Sequence, residues 1–231
     1  MSSDISVLIP CRDRYQSLSH CLQSLREHAD DPSSYRIAIR TDEDVYDRTF
    51  WKHLLRDEQQ PLVLSGEQRY GWKSNHTFFN ELAKASRADW LFVFNDDAIM
   101  DTRGWDTIIR GGERPVLGTH MLLLGKDQPH CWSRGGFLFS NAFPVVHRRW
   151  VHALGVVARH PHVDNYVEYL ARHANPAIDL MQPTAIRVRH QPVASQGRGL
   201  SWWQDFTTSP LVDVIKQDSR KLREEFPEGK V

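Results

Sequence analysis

A doubly wound α/β fold with a mostly parallel central sheet is what this chain predicts, on three observations. Residues 1 to 100 alternate short β-rich runs with helical periodicities, in the order β-α-β-α-β-α-β. Trp90-Leu91-Phe92-Val93-Phe94 is apolar without alternation, as expected of a strand covered by helices on both faces. Three polar clusters, Pro10-Cys11-Arg12-Asp13, Thr41-Asp42-Glu43-Asp44 and Asn95-Asp96-Asp97, follow such runs. Ligands of open α/β sheets collect at these carboxyl ends of strands.

The elements follow in order. Ile5 to Pro10 is a short β-rich run closed by proline. Asp13 is placed to cap a helix in which Leu18, Cys21, Leu22 and Leu25 recur at helical spacing. Asp31 to Ser34 reads as a turn and Tyr35 to Arg40 as a second strand. Phe50, Trp51, Leu54 and Leu55 mark the apolar face of a second helix, and Pro61 to Leu64 a third strand. Ser74 to Ser86 reads as a helix with Phe78, Phe79, Leu82 and Ala85 inward, leading to the fourth strand at Trp90.

The second half is less regular. Residues 115–124 and 136–146 read as strands, and Val145 to Leu154 runs into a helix. Asp164 to His173 forms a helix with Val167, Leu170 and Ala171 on one face, and Thr184 to Arg189 a last strand. A glycine-bearing loop with Arg198, Trp202 and Trp203 precedes a charged amphipathic helix from Pro210. No repeat, low-complexity tract or linker interrupts the chain, so one domain is expected over 1–231, in segments 1–100, 101–209 and 210–231.

Bulk properties narrow the function classes. The 231 residues are 40% hydrophobic and 25% charged, an ordinary globular composition. Twenty-nine basic residues balance 29 acidic ones, which gives no global attraction to nucleic acid or an anionic membrane. No stretch approaches the roughly 20 apolar residues of a membrane span, and the start lacks a signal-peptide pattern. Three cysteines without CxxC spacing argue against a disulfide framework, so a reduced, cytoplasmic protein is expected.

Asn95-Asp96-Asp97 is the strongest candidate for chemistry. Acids at the end of a buried strand cost desolvation unless a cation offsets them, and carboxylates suit Mg²⁺ or Mn²⁺. Taken alone, the same pair also reads as a turn that caps the next helix. There is no Gly-x-x-x-x-Gly-Lys-Ser/Thr phosphate loop, Gly-x-Ser-x-Gly nucleophile turn or Gly-x-Gly-x-x-Gly fingerprint. His160 and His162, with His152 or His173, raise a zinc reading that lacks a recurrent close spacing and nearby cysteines.

The ordered set of motifs resembles the nucleotide-sugar-binding half of GT-A glycosyltransferases of the family 2 type. Pro10, Arg12 and Arg14 match the first-strand loop that meets the nucleotide, and Asp42 the acid that holds the base. Gly71-Trp72-Lys73-Ser74-Asn75 resembles the segment packed beside the donor, contributing Lys73 and Asn75. Asn95-Asp96-Asp97 resembles the DxD motif with Asn in first place, which implies Asp97 as metal ligand, Asp96 in support and Mn²⁺ or Mg²⁺ as cofactor. More faintly, Gly135-Gly136-Phe137-Leu138-Phe139 resembles the turn before the acceptor site. Asp164 falls where the family places its general base, a position equally suited to a helix N-cap. The resemblance implies that His190 completes the metal shell and that Arg198, on a lid, meets phosphate.

The implied activity is metal-dependent, inverting transfer of a sugar from a nucleoside diphosphate sugar, UDP-linked by preference, to a hydroxyl of a soluble acceptor. The acceptor class stays open: a glycan, a protein, a small molecule or a modified nucleobase. Arginines 187, 189 and 198 would meet a polyanion such as DNA, which the zero net charge does not support. Two alternatives remain, a nucleotidyltransferase on the same fold and a non-catalytic nucleotide-sugar or glycan-binding module. Oligomeric state is not read from the sequence.

Overall fold

The computed structural model describes residues 4–67, 71–123, 132–134, 137–139, 143–174, 180–190 and 211–231; the side chains at 71–72, 121–123, 132–134, 137–139 and 190 fall outside that description. Strands β1 (Ile5–Pro10), β2 (Tyr35–Asp42), β3 (Leu62–Gly66) and β4 (Trp90–Val93) are connected through α1 (Tyr15–His28), α2 (Arg48–Leu54) and α3 (Asn75–Ala85). Then follow β5 (Ala98–Met100), α4 (Trp105–Arg110), β6 (Val116–Leu123), the antiparallel pair β7 (Trp132–Arg134) and β8 (Phe137–Phe139), and β9 (Val145–His147). The chain ends with α5 (Arg148–Leu154), α6 (Val163–His173), β10 (Met181–His190) and α7 (Leu211–Glu225).

Eight strands form one sheet in the order β3-β2-β1-β4-β9-β6-β10-β5. The pairs β3-β2, β2-β1 and β1-β4 are parallel. β9 lies antiparallel to both β4 and β6, so β6 runs with β4, and β10 runs with β6. Only β9 and β5 are reversed, which makes the sheet mostly parallel as expected.

Strand alternation divides the core between the two faces. Ile5, Val7 and Ile9 of β1 join Phe92 and Phe94 against Leu18 and Leu25 of α1, Trp51 of α2 and Trp105 of α4. Leu8, Leu91 and Val93 face the other way, toward Phe79 and Leu82 of α3, Trp150 of α5, Tyr166 and Leu170 of α6 and Leu222 of α7. The unbroken apolar run of β4 is thus explained by burial on both faces.

Several expectations are corrected. Asp13 does not cap α1: Arg14 holds that place, and no side chain bonds to the helix end. Ala83 rather than Ala85 is buried on α3, and Phe78 is only half-buried. Val145 to His147 is a strand before α5, not the start of a helix, because it pairs with β4 and β6. The run 136–146 therefore divides between β8 and β9. His162 is the N-cap of α6, and Asp164 sits inside its first turn. Arg148 and Arg149, at the start of α5, are both engaged: Arg148 Nε donates to Ala88 O at 2.6 Å, and Arg149 Nε to Glu225 Oε1 at 2.7 Å. β5 and α4 have no counterpart in the sequence reading. α4 begins at Gly104, where φ is 68° and a Cβ would lie 2.6 Å from Asp30 Oδ2, so only glycine fits.

Candidate active site

The carboxyl ends of β1, β2 and β4 and the start of α3 enclose a cavity of about 340 Å³. Cys11 N donates to Arg40 O and Phe94 N to Leu8 O, which keeps the three strand ends in step as they leave the sheet. Of the residues singled out in the sequence, Pro10, Arg12, Arg14, Asp42, Asn75, Asn95, Asp96 and Asp97 all line this space. Lys73 does not: it is exposed on a short 3-10 turn before α3.

The cavity has two charged ends. At one, Arg14 Nη1 donates to Asp97 Oδ2 at 2.8 Å and stands 3.6 Å from Asp96 Oδ1. Both aspartates are buried. The Asp96 carboxyl is pushed up to about 6, first by burial and next by the Asp97 charge, with Arg14 and the Cys11 thiol opposing the shift. Burial likewise pushes the Cys11 thiol far above its ordinary range, so it is a packed donor and no nucleophile. At the other end, Asp42 is approached by two guanidinium groups: Arg40 Nη1 donates to Oδ1 at 2.8 Å, and Arg12 Nη1 to Oδ2 at 3.4 Å. Arg12 is itself held by Asp44 at 2.7 Å.

Two lining residues were missed by the sequence reading. Arg40 is almost wholly buried, although it stands in a strand that otherwise reads as core. Its parity with Asp42, two residues on, is the signal that could have found it. Phe78 was assigned to the core because period alone cannot separate a core face from a cavity wall; it lines the cavity and lies under Arg40, with 4.8 Å from the guanidinium carbon to the ring centroid.

The remaining candidates lie elsewhere. Asp164 does not line the cavity; it is half-buried in the first turn of α6, where Asn165 Nδ2 donates to it at 3.3 Å. Asn80 of α3 fixes the approach to that helix, accepting from Val157 N at 2.8 Å and donating to Ala158 O at 2.8 Å. The backbone of His190 is paired with Ala98, one residue beyond Asp97, while its side chain lies outside the described residues. Arg198, Trp202, Trp203 and the Gly135-Gly136 turn also lie outside them. Arg189 is engaged by Asp101 at 3.0 Å, which removes one charge from the polyanion reading. His160 and His162 stack on each other, with centroids 5.4 Å apart.

Does the acid pair suit a divalent cation? Among the described residues no group of three or more His, Cys, Asp or Glu side chains is assembled for a metal. Two adjacent buried carboxylates, one of them raised by the other's charge, are nevertheless the arrangement a hard cation relieves. Two carboxylates are fewer ligands than such an ion takes, so the pair fits it only with further oxygen ligands from elsewhere.

No protein-family model matches the sequence, and no curated protein sequence does. The structure is similar to three crystal structures of S. aureus TarS. TarS 1-349 superposes with a TM-score of 0.61 at 11% identity, over 83% of this chain and 60% of that one. TarS 1-349 in complex with UDP gives 0.62 at 9% identity, over 98% of this chain and 72% of that one. The complex with UDP-GlcNAc gives 0.58 at 10% identity, over 99% and 74%. The fold is that of GT-A-like glycosyltransferases. At such identities the likeness carries the fold alone. No helix among the described residues is long and apolar enough to cross a membrane.

Proposed function

We propose that the protein is a glycosyltransferase that takes its sugar from a nucleoside diphosphate sugar, UDP-linked by preference. The observation that carries this reading is the two-ended cavity, with a buried acid pair at one end and a carboxylate held between two arginines at the other. TarS, which shares the architecture, is crystallised with UDP and with UDP-GlcNAc.

In this reading Asp42 accepts from the nucleobase, with Arg12 beside it, and Asn75 and Asn95 offer amides to the sugar and ribose. Asp97, supported by Asp96, holds a Mn²⁺ or Mg²⁺ ion, and the register of His190 beside Ala98 is the reason to include it. Held there, such an ion would supply charge compensation for a departing diphosphate. Arg14 places a positive charge against the same acids and is positioned to follow the diphosphate. Asp164 takes the acceptor proton, with inversion at the anomeric carbon; its support is the motif resemblance and its helix-start position, not proximity to the cavity. Its partners are the donor and a soluble hydroxyl acceptor, with localisation in the cytoplasm.

The deciding experiment is a thermal-shift and calorimetric series of UDP, UDP-sugars and other nucleoside diphosphates, with Mn²⁺ and with chelator. Saturable stabilisation by one nucleotide sugar, lost on chelation, is expected. No stabilisation by any of them would sink the reading. Asp164→Asn separates enzyme from binding module: donor affinity stays while transfer is lost.

A further inference from the structure

We propose that Arg14 is a removable internal cation: it holds the place over Asp96 and Asp97 that a divalent ion would take, and it yields that place when a diphosphate enters the cavity. This rests on the nucleotide-sugar reading above. One nitrogen, Nη1, stands 2.8 Å from Asp97 Oδ2 and 3.6 Å from Asp96 Oδ1. An ion bridging those two oxygens would claim the volume that Nη1 fills, so the two cations exclude one another. The acids are packed in place, with side chains 12% and 7% exposed, whereas that of Arg14 is 45% exposed. The Arg14 backbone is tied into the first turn of α1, where its O accepts from Leu18 N at 2.9 Å. Its side chain makes no bond to the helix end, so the arm can swing while α1 stays intact.

The arginine at the other end of the cavity shows what a permanent countercharge looks like. The Arg40 side chain is 2% exposed and donates to Asp42 Oδ1 at 2.8 Å, Glu81 Oε2 at 3.0 Å and Glu67 O at 2.8 Å. Drawing it away would break all three bonds. Among the described residues the Arg14 side chain bonds only to the two acids, so one better partner is enough to move it. A diphosphate is such a partner, because a guanidinium meets phosphate oxygens bidentately. The same diphosphate offers the ion the oxygens that two carboxylates do not supply. Ion and diphosphate therefore favour each other's binding, and Arg14 enlarges that coupling by penalising an ion that arrives alone.

Calorimetry on the full chain tests this, with Mn²⁺ alone and with Mn²⁺ in saturating pyrophosphate. The wild type should bind Mn²⁺ at least about tenfold more tightly when pyrophosphate is present. Arg14→Gln should tighten Mn²⁺ alone by about three- to tenfold, a modest gain because solvent screens a half-exposed pair. The benefit from pyrophosphate should shrink by the same factor. Arg12→Gln removes an equal charge from the cavity wall, where Arg12 faces Asp42 and Asp44 instead, and should change Mn²⁺ affinity by less than about twofold. Urea midpoints give a second readout. Arg14→Gln should lose stability without Mn²⁺ and recover more on its addition than the wild type gains, which a purely structural arginine would not produce. Unchanged or weaker Mn²⁺ binding in Arg14→Gln, equal tightening in Arg12→Gln, or no benefit from pyrophosphate in the wild type overturns the role of Arg14 and leaves the nucleotide-sugar reading standing. A wild type that binds Mn²⁺ under neither condition overturns the ion site together with this role.

Discussion

Asp106 and Asp218 are buried as deeply as the acid pair of the cavity, yet their surroundings differ. Asp106 accepts from Asp30 N at 2.8 Å, Asp31 N at 3.0 Å and Ser34 Oγ at 3.0 Å, with Arg110 at 3.5 Å. Asp218 accepts from Arg159 Nε at 2.8 Å and Tyr166 OH at 2.6 Å, which pins α7 to α6 and to the segment before it. Their donors come from the backbone and from side chains that do not line that cavity. Asp96 and Asp97, by contrast, lie beside one another, share an exposed arginine and open into a cavity. Burial with dedicated donors builds structure; burial of like charges beside open space stores a demand for a cation.

The largest expected effect tests the structural side. Asp218→Ala leaves Arg159 and Tyr166 without their partner and should cost about 3–5 kcal/mol in urea unfolding. A loss below about 1 kcal/mol would remove the contrast. Next comes Asp97→Ala. Turnover, followed as nucleoside diphosphate release, should fall by about 10²-fold or more, while the urea midpoint stays near that of the wild type. Full turnover would show that the acid pair serves no chemistry.

A third substitution gives opposite signs at the two places. Asp96→Asn removes a buried charge that its neighbour disfavours, and should stabilise the chain at pH 7 by on the order of 1 kcal/mol when metal is absent. Asp106→Asn turns one of its two acceptor oxygens into a donor facing a backbone N–H group and should destabilise. Equal signs would mean that the two kinds of acid are not distinct.

The same contrast marks what the sequence made legible. β1 and β4 stood out because apolar runs end abruptly in polar residues, and those ends are where the cavity forms. β5 was invisible: three residues are held as a strand only by antiparallel pairing with β10, some ninety positions away. β9 reads as a helix start until β4 and β6 bracket it. α4 has six residues, too few for a periodic signal, and is set by a left-handed glycine. In the site, acids at strand ends were legible, whereas the partners of Arg40 needed the fold: nothing in residues 35 to 42 announces that Glu81 and Glu67 will meet it. Asp164 was placed by motif order, and motif order fixes a helix start without fixing which space its side chain faces.

Glu58 lies between the two classes and carries the smallest prediction. Its side chain is buried under Arg26, which donates to Oε1 at 3.1 Å, yet burial outweighs that charge and raises the carboxyl above its ordinary 4.5. Between the unfolded value and the higher folded one, the native chain binds more protons than the unfolded chain. Stability contributed by the neutral acid is therefore present at low pH and lost as pH rises from about 4.5 through the folded value. Glu58→Gln, which cannot ionise, should lack this slope, so its stability relative to the wild type should climb with pH across that window. Urea midpoints at half-unit steps from pH 4 upward measure the difference. If wild type and variant run parallel, or the gap closes as pH rises, the Arg26 bond outweighs burial and Glu58 belongs with Asp218 among the acids that build structure.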